Sequence, residues 1–247
     1  MMNTNSSKSI YFYIGALCNL KCNYCYISKN KHLKEIDDLM LESFKKDKFY
    51  LNLAKQYLGQ DLSLVDTIEF WGAEPTLALD RTHNTVRDFI EACPNLYKFL
   101  FSTNCTTPQT IPVIKNFLDL LTEYPDRNFE LNIQISVDGP EEYTDAGRGI
   151  GTTKKIVENF DKLIESKLLL SYPNVDCKIH FKPTLNSDTL KLLDNKENNI
   201  KYFQWFEDTF YDKMPRHLYV AYALPNLATP AEYSSEDGKR FARILAI

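Results

Sequence analysis

No stretch of this sequence is apolar for long enough to span a bilayer, which takes about 20 consecutive residues as a helix. The opening Met1-Met2-Asn3-Thr4-Asn5-Ser6-Ser7-Lys8 is polar, with no apolar segment behind it of the kind a secretory signal needs. An excess of positive charge is missing as well. With 29 Lys and Arg against 33 Asp and Glu, the formal net charge is -4, so no chain-wide basic field favours nucleic acid. There is no internal repeat and no low-complexity linker. Cysteine is sparse, six residues in all, and the four histidines (His32, His83, His180, His217) form no metal-spaced pair. These absences lead to the expectation of a soluble, cytoplasmic protein without a membrane partner, whose thiols stay reduced and serve metals or catalysis. Residues 1–8 are expected to be a disordered N-terminus and residues 9–247 one domain. A hydrophobic share of 44% is enough for a sizeable core.

Three of the cysteines stand together in Cys18-Asn19-Leu20-Lys21-Cys22-Asn23-Tyr24-Cys25-Tyr26. The cluster follows Ser9 to Gly15, an alternating aromatic and aliphatic run that reads as a strand. Cysteines two or three residues apart in a loop can turn their sulfurs toward one small volume, as iron–sulfur and zinc sites require. Three thiolates leave one position of a tetrahedral or cubane centre open, the mark of a reactive site more than a structural one. The other reading is a zinc knuckle completed by a distant His or Cys. Cys93, Cys105 and Cys177 are widely spaced and read as small core residues.

Along the chain, Ser28 to Lys34 reads as a solvated, lysine-rich loop. Asp37 or Asp38 caps a helix through about Leu58, ended by Gly59. Further strands are expected at 64–70, 97–101, 129–137, 175–181 and 217–224. Helices are expected at about 80–92, around Pro112, from Thr152 or Thr153, at 200–211 and from Ser234 or Ser235. The aromatic residues Tyr202, Phe203, Trp205, Phe206 and Phe210 read as a packing face. Six strands alternating with helices argue for an α/β fold with a parallel sheet. Chemistry then belongs at the C-terminal ends of the strands. That rim receives the cysteine loop, Gly72–Glu74, Asn104, Ser136–Asp138 and Leu185–Asn186.

The C-x3-C-x2-C cysteines, with Tyr24 before the last, resemble the signature of the radical SAM superfamily. Trp71-Gly72-Ala73-Glu74-Pro75 resembles that family's GGEP segment, with Ala73 in place of the second glycine. Ser102-Thr103-Asn104-Cys105-Thr106 resembles the S-T-N-G-T segment of its peptide- and protein-modifying branch. Cys105 stands there where glycine is expected, which puts a left-handed backbone in doubt. Ile135-Ser136-Val137-Asp138-Gly139-Pro140, followed by Asp145-Ala146-Gly147-Arg148, resembles the anaerobic sulfatase-maturase branch.

The resemblance implies a partial (β/α)6 TIM-like barrel with cluster and cofactor at the C-terminal ends of the strands. It implies a [4Fe–4S] cluster held by Cys18, Cys22 and Cys25, and S-adenosyl-L-methionine as cofactor. By the same resemblance Gly72, Ala73 and Glu74 would bind the methionine ammonium, Ser136 a ribose hydroxyl, and Arg148 the carboxylate. Tyr24 and Leu185 would lie along the adenine, and Asn104 would bond cofactor or substrate. The activity implied is reductive cleavage of the cofactor and removal of a hydrogen from a peptide or protein side chain, with a one-electron donor such as flavodoxin or ferredoxin. A nucleotide or small-metabolite substrate, or a non-catalytic metal-binding module, are the alternatives. Many members of this branch carry a cysteine-rich C-terminal extension. Nothing of that kind follows Cys177, so the expectation is a minimal enzyme or a truncated chain that cleaves cofactor without completing the reaction.

Overall fold

The computed structural model describes residues 7–214, 219–221, 226–227 and 234–245. Six parallel strands form one sheet: β1 (Lys8–Tyr13), β2 (Val65–Trp71), β3 (Lys98–Thr103), β4 (Phe129–Ile135), β5 (Val175–Phe181) and β7 (Tyr219–Ala221), in spatial order β1-β2-β3-β4-β5-β7. A parallel pair of two-residue strands, β6 (Thr184–Leu185) and β8 (Asn226–Leu227), forms a second sheet. Helices α1 (Tyr26–Lys29), α2 (Lys31–Glu35), α3 (Asp37–Ser43) and α4 (Phe49–Leu58) connect β1 to β2. The crossovers that follow carry α5 (His83–Ala92), α6 (Thr110–Thr122), and then α7 (Glu141–Arg148) with α8 (Thr152–Glu165). After β5 come α9 (Ser187–Leu193), α10 (Lys196–Thr209) and finally α11 (Ser235–Leu245). This is the partial (β/α)6 barrel expected. No helix among the described residues is long and apolar enough to cross a membrane.

Alternation along the strands decides which face the helices cover. In β4, Phe129, Leu131, Ile133 and Ile135 are buried, while Glu130 and Gln134 between them are partly open. Phe117 of α6 is fully buried and meets Phe70, Phe99 and Phe101 edge-on, with centroids 5.6, 5.5 and 6.5 Å away. Burying a ring of this size is worth roughly 1.5–3 kcal/mol. Phe181 packs edge-on against Phe160, tilted against Phe206 and stacked on Phe210 at 4.3 Å. The aromatic residues of α10 thus form a packing face, as expected, with Tyr202, Phe206 and Phe210 buried.

Several boundaries differ from the sequence reading. β1 begins at Lys8, inside the expected tail, and residues 1–6 lie outside the described residues. The segment 28–34 is not a loop but the end of α1 and most of α2; Cys25 caps α1, its Sγ accepting from Ser28 N–H while Ser28 Oγ donates to Cys25 O. The helix expected over 37–58 is broken into α3 and α4, because Lys48 turns left-handed at φ 49°. Gly59 ends α4 at φ 93°, as expected. Helix α7 was not expected. The cap of α8 is supplied by Asp145, which accepts from Thr153 N–H at 2.8 Å and Thr153 Oγ1 at 2.7 Å, rather than by Thr152 or Thr153. Asn186 opens α9, another helix absent from the reading, by accepting from Thr189 N–H at 2.8 Å. Of the strand expected at 217–224, residues 219–221 are strand, and 217–218 and 222–224 lie outside the described residues. Ser234 caps α11, accepting from Asp237 N–H at 3.2 Å.

Candidate active site

The loop after β1 is moored to the end of β2 by its backbone. Ile14 N–H donates to Trp71 O (2.7 Å), Ala73 N–H to Gly15 O (3.0 Å) and Glu74 N–H to Leu17 O (3.1 Å). The approach is so close that a Cβ on Gly72 would stand 2.7 Å from Gly15 O, which is why glycine occupies that position. At the other end of the loop, Asn23 N–H donates to Gly147 O at 2.9 Å. A Cβ on Gly147 would meet the Tyr24 ring at 2.7 Å. Cys18 and Cys22 between these moorings, and Cys25 just past the second, line one cavity of about 420 Å³.

The donors are thiols, which suit an iron–sulfur or other metal centre once deprotonated. All three cysteines are free thiols, and burial pushes Cys18 up to about 11 and Cys22 upward, so a bound cation is what would make them thiolates. Two of the sulfurs already accept N–H groups: Leu20 N–H reaches Cys18 Sγ at 3.3 Å and Ser28 N–H reaches Cys25 Sγ at 3.4 Å. Among the described residues no three His, Cys, Asp or Glu side chains are grouped tightly enough to hold one metal ion.

The rim is completed by Gly72, Ala73, Ser102, Thr103, Asn104, Ser136, Arg148, Lys182 and Thr184, with Tyr24, Tyr26 and Trp71 supplying aromatic surface. Tyr26 stacks on Trp71 with centroids 6.1 Å apart. Arg148, at the C-terminus of α7, is held in a fork by Asp138: Nε to Oδ2 at 2.9 Å and Nη2 to Oδ1 at 2.7 Å. Burial alone would lower the Arg148 pKa, but the Asp138 carboxylate outweighs it and raises it. Tyr24 Oη donates to the same carboxylate, and burial and that contact push its phenol up. Thr184 N–H donates to Asp138 Oδ1 at 2.8 Å. Asp138 is therefore the hub that ties the cysteine loop, α7 and β6 together. The sequence reading placed it on the rim without a role, and the Asp-Gly-Pro turn was the only signal of it.

Two expected residues sit elsewhere. Leu185 is fully buried in the core and does not line the cavity; its neighbour Thr184 does. Alternation along a strand sends adjacent side chains to opposite sides, which puts Thr184 at the cavity and Leu185 in the core. Glu74 is 2% exposed and turned into the protein. Its Oε1 accepts from Thr76 N–H (3.2 Å), Thr76 Oγ1 (2.6 Å) and Thr103 Oγ1 (2.7 Å), and its Oε2 from Asn104 N–H (2.6 Å). Burial pushes this carboxyl up against the pull of its donors. Its ties run to the β3 loop. That loop carries Cys105 at φ 54°, the left-handed backbone its missing glycine had put in doubt. Cys93, Cys105 and Cys177 are buried free thiols, as expected of packing residues. His32, His83 and His180 do not gather at the cavity, and His217 lies outside the described residues.

Residues 12–172 match the family model described as the Radical SAM superfamily. Among solved structures, native anSMEcpe with bound AdoMet and Kp18Cys peptide is similar at a TM-score of 0.54 and 20% identity, covering 96% of this chain and 59% of that one. The form with Cp18Cys peptide gives 0.54 and 20%, covering 96% and 58%. Native anSMEcpe with bound AdoMet alone gives 0.52 and 18%, covering 96% and 58%. The chain thus spans somewhat under three fifths of those proteins' length. No curated protein sequence matches it.

Proposed function

Because the chain belongs to the radical SAM superfamily, which works with a [4Fe–4S] cluster and S-adenosylmethionine, we propose that it is an enzyme of that kind whose substrate is a peptide or protein side chain. The observation that carries the reading is three cysteines of one loop lining one cavity at the C-terminal rim of a parallel partial barrel. When bound, cluster and cofactor would supply an electron to the sulfonium bond and then the radical that takes a substrate hydrogen. The protein's part is to bind, orient and exclude water. Cys18, Cys22 and Cys25 hold the irons. The backbone of Gly72 and Ala73 meets the methionine ammonium, and Ser136 a ribose hydroxyl. Arg148, held by Asp138 through Nε and Nη2, would bind the carboxylate, and Tyr24 would line the adenine side; both line the cavity. Glu74 holds the end of β3 behind them through Thr103 and Asn104. A peptide substrate is supported by the branch motifs and by the peptides named with the similar anSMEcpe structures. The electron would come from a flavodoxin- or ferredoxin-type donor.

Anaerobic reconstitution with iron and sulfide tests the reading. A full cubane is expected, with 5′-deoxyadenosine released on reduction. Cys18→Ala, Cys22→Ala or Cys25→Ala should abolish both. Cys93→Ala and Cys177→Ala should leave the iron content unchanged, and loss of iron in either would reject the ligand set.

A further inference from the structure

The side chain of Asn104 reaches from the β3 loop into the cysteine loop. Its Oδ1 accepts from Thr106 N–H at 3.0 Å and Thr106 Oγ1 at 2.6 Å, which fixes the way the amide faces. Its Nδ2 is thereby aimed at two acceptors, Asn19 Oδ1 at 2.9 Å and Cys18 Sγ at 3.7 Å. Asn19 closes the ring by donating from Nδ2 to Thr106 Oγ1 at 2.8 Å. The backbone beneath is equally constrained. Asn104 N–H is bound by Glu74, and Cys105 is held at φ 54° with its carbonyl taken by Asn159 Nδ2 at 2.8 Å. A left-handed non-glycine residue costs about 1–2 kcal/mol and persists only where its surroundings impose it. Here the surroundings turn Asn104 toward the sulfur.

Cys18 therefore accepts two N–H groups, one from Leu20 within its own loop and one from a different strand end. Donors on a cluster thiolate stabilise negative charge, and a reduced cluster carries more of it than an oxidised one. We propose that Asn104 is a positioning residue for Cys18 whose amide N–H raises the reduction potential of the cluster, an inference that rests on the radical SAM reading of this site.

The test is the midpoint potential of the reconstituted cluster, followed by electron paramagnetic resonance without S-adenosylmethionine. Asn104→Ala should shift the reduction equilibrium toward the oxidised form by roughly tenfold, about 59 mV for one electron. Asn104→Asp keeps the shape and the Thr106 acceptor but loses the donor, so it should lie lower still and serves if the alanine variant loads iron poorly. Asn159→Ala loosens the same loop from α8 without touching the sulfur. It should reduce thermal stability and leave the potential in place. Equal potentials for wild type and both Asn104 variants at full iron content would overturn the proposal, as would a shift in Asn159→Ala of the same size. A wild-type chain that takes up no cubane would sink the functional reading, and this inference with it.

Discussion

The two faces of the central sheet are made of different chemistry. On the helix side, Phe12, Ile68, Phe70, Phe99, Phe101, Ile133, Ile179 and Phe181 form a continuous buried layer. One residue along each strand, the other face carries Tyr11, Glu69, Lys98, Ser102, Glu130, Gln134, Lys178 and Lys182. Phe12 is 4% exposed and its neighbour Tyr11 65%. In a complete eight-stranded barrel the inward side chains are mostly branched and apolar, stacked in layers. Here the inward charges around Glu130 are paired across neighbouring strands. Glu130 takes Lys98 Nζ at 3.0 Å, Lys178 Nζ, and Asn132 Nδ2 at 2.7 Å, and His180 Nε2 meets Asn132 Oδ1 at 3.0 Å. The lesson is a division of labour: the helix side holds the molecule together, and the inward side stays polar for whatever enters the cavity at its rim.

The largest expected effect probes the helix side. Phe117→Ala removes a ring seated against three phenylalanines of two strands, β2 and β3, and should lower unfolding free energy by about 3–5 kcal/mol. Gln134→Ala on the inward face, whose Oε1 accepts from Ser102 Oγ at 2.9 Å, should cost about 0.5–1.5 kcal/mol. Urea denaturation of both would break the comparison if the two losses were equal.

A second, smaller effect belongs to Glu74, where the two faces meet at the rim. Glu74→Gln replaces acceptor capacity with a donor among four donors, and should destabilise the fold by roughly 1.5–3 kcal/mol. The dissociation constant for S-adenosylmethionine, measured by calorimetry on the reconstituted variant, should move less than that. A loss confined to cofactor affinity would return Glu74 to the ligand-binding role its motif suggested.

A further modest effect sharpens the inward face by pH. Burial opposes ionisation of Glu130, but Lys178, Asn132 and Lys98 win and hold its carboxyl down at about 2, against an ordinary 4.5. A carboxyl depressed by folding adds stability above its unfolded value and loses it as the pH falls through the folded one. Glu130→Gln should therefore cost about 1–2 kcal/mol above pH 4.5, a difference that shrinks as the pH falls toward about 2. A difference that stays constant over that window would mean the cluster of charges contributes nothing through ionisation.

Alternation made the sheet legible, because a strand with one greasy side announces both its existence and its inward residues. The rim followed from topology, since loops after parallel strands gather at one end. What escaped depended on distant partners or on backbone without a marker. Lys48 breaks a helix with no glycine or proline to announce it. Asp145 and Gly147 are poor helix formers, yet α7 forms around them because Asp145 caps the next helix and Gly147 admits Tyr24. Glu74 sits in a ligand-binding motif, but its own ligands are Thr103 and Asn104, on a strand end far along the sequence. Leu185 and Thr184 differ by a single step of strand parity, which a motif match does not resolve.

The double mooring of the cysteine loop, at Gly15 on one side and Gly147 on the other, bears on how metal capture and folding are coupled. Only the stretch from Cys18 to Cys22 lies between the two anchors, and Asn104 and Leu20 already touch its first sulfur. The conformational entropy of bringing ligands together, about 1–2 kcal/mol for each backbone residue fixed, is largely spent when the sheet and α7 form. In many small metal domains the ion itself must supply that energy, and the chain unfolds without it. Here the loop that carries the cysteines is fixed by the sheet and by α7, so its backbone order does not have to be supplied by a bound metal.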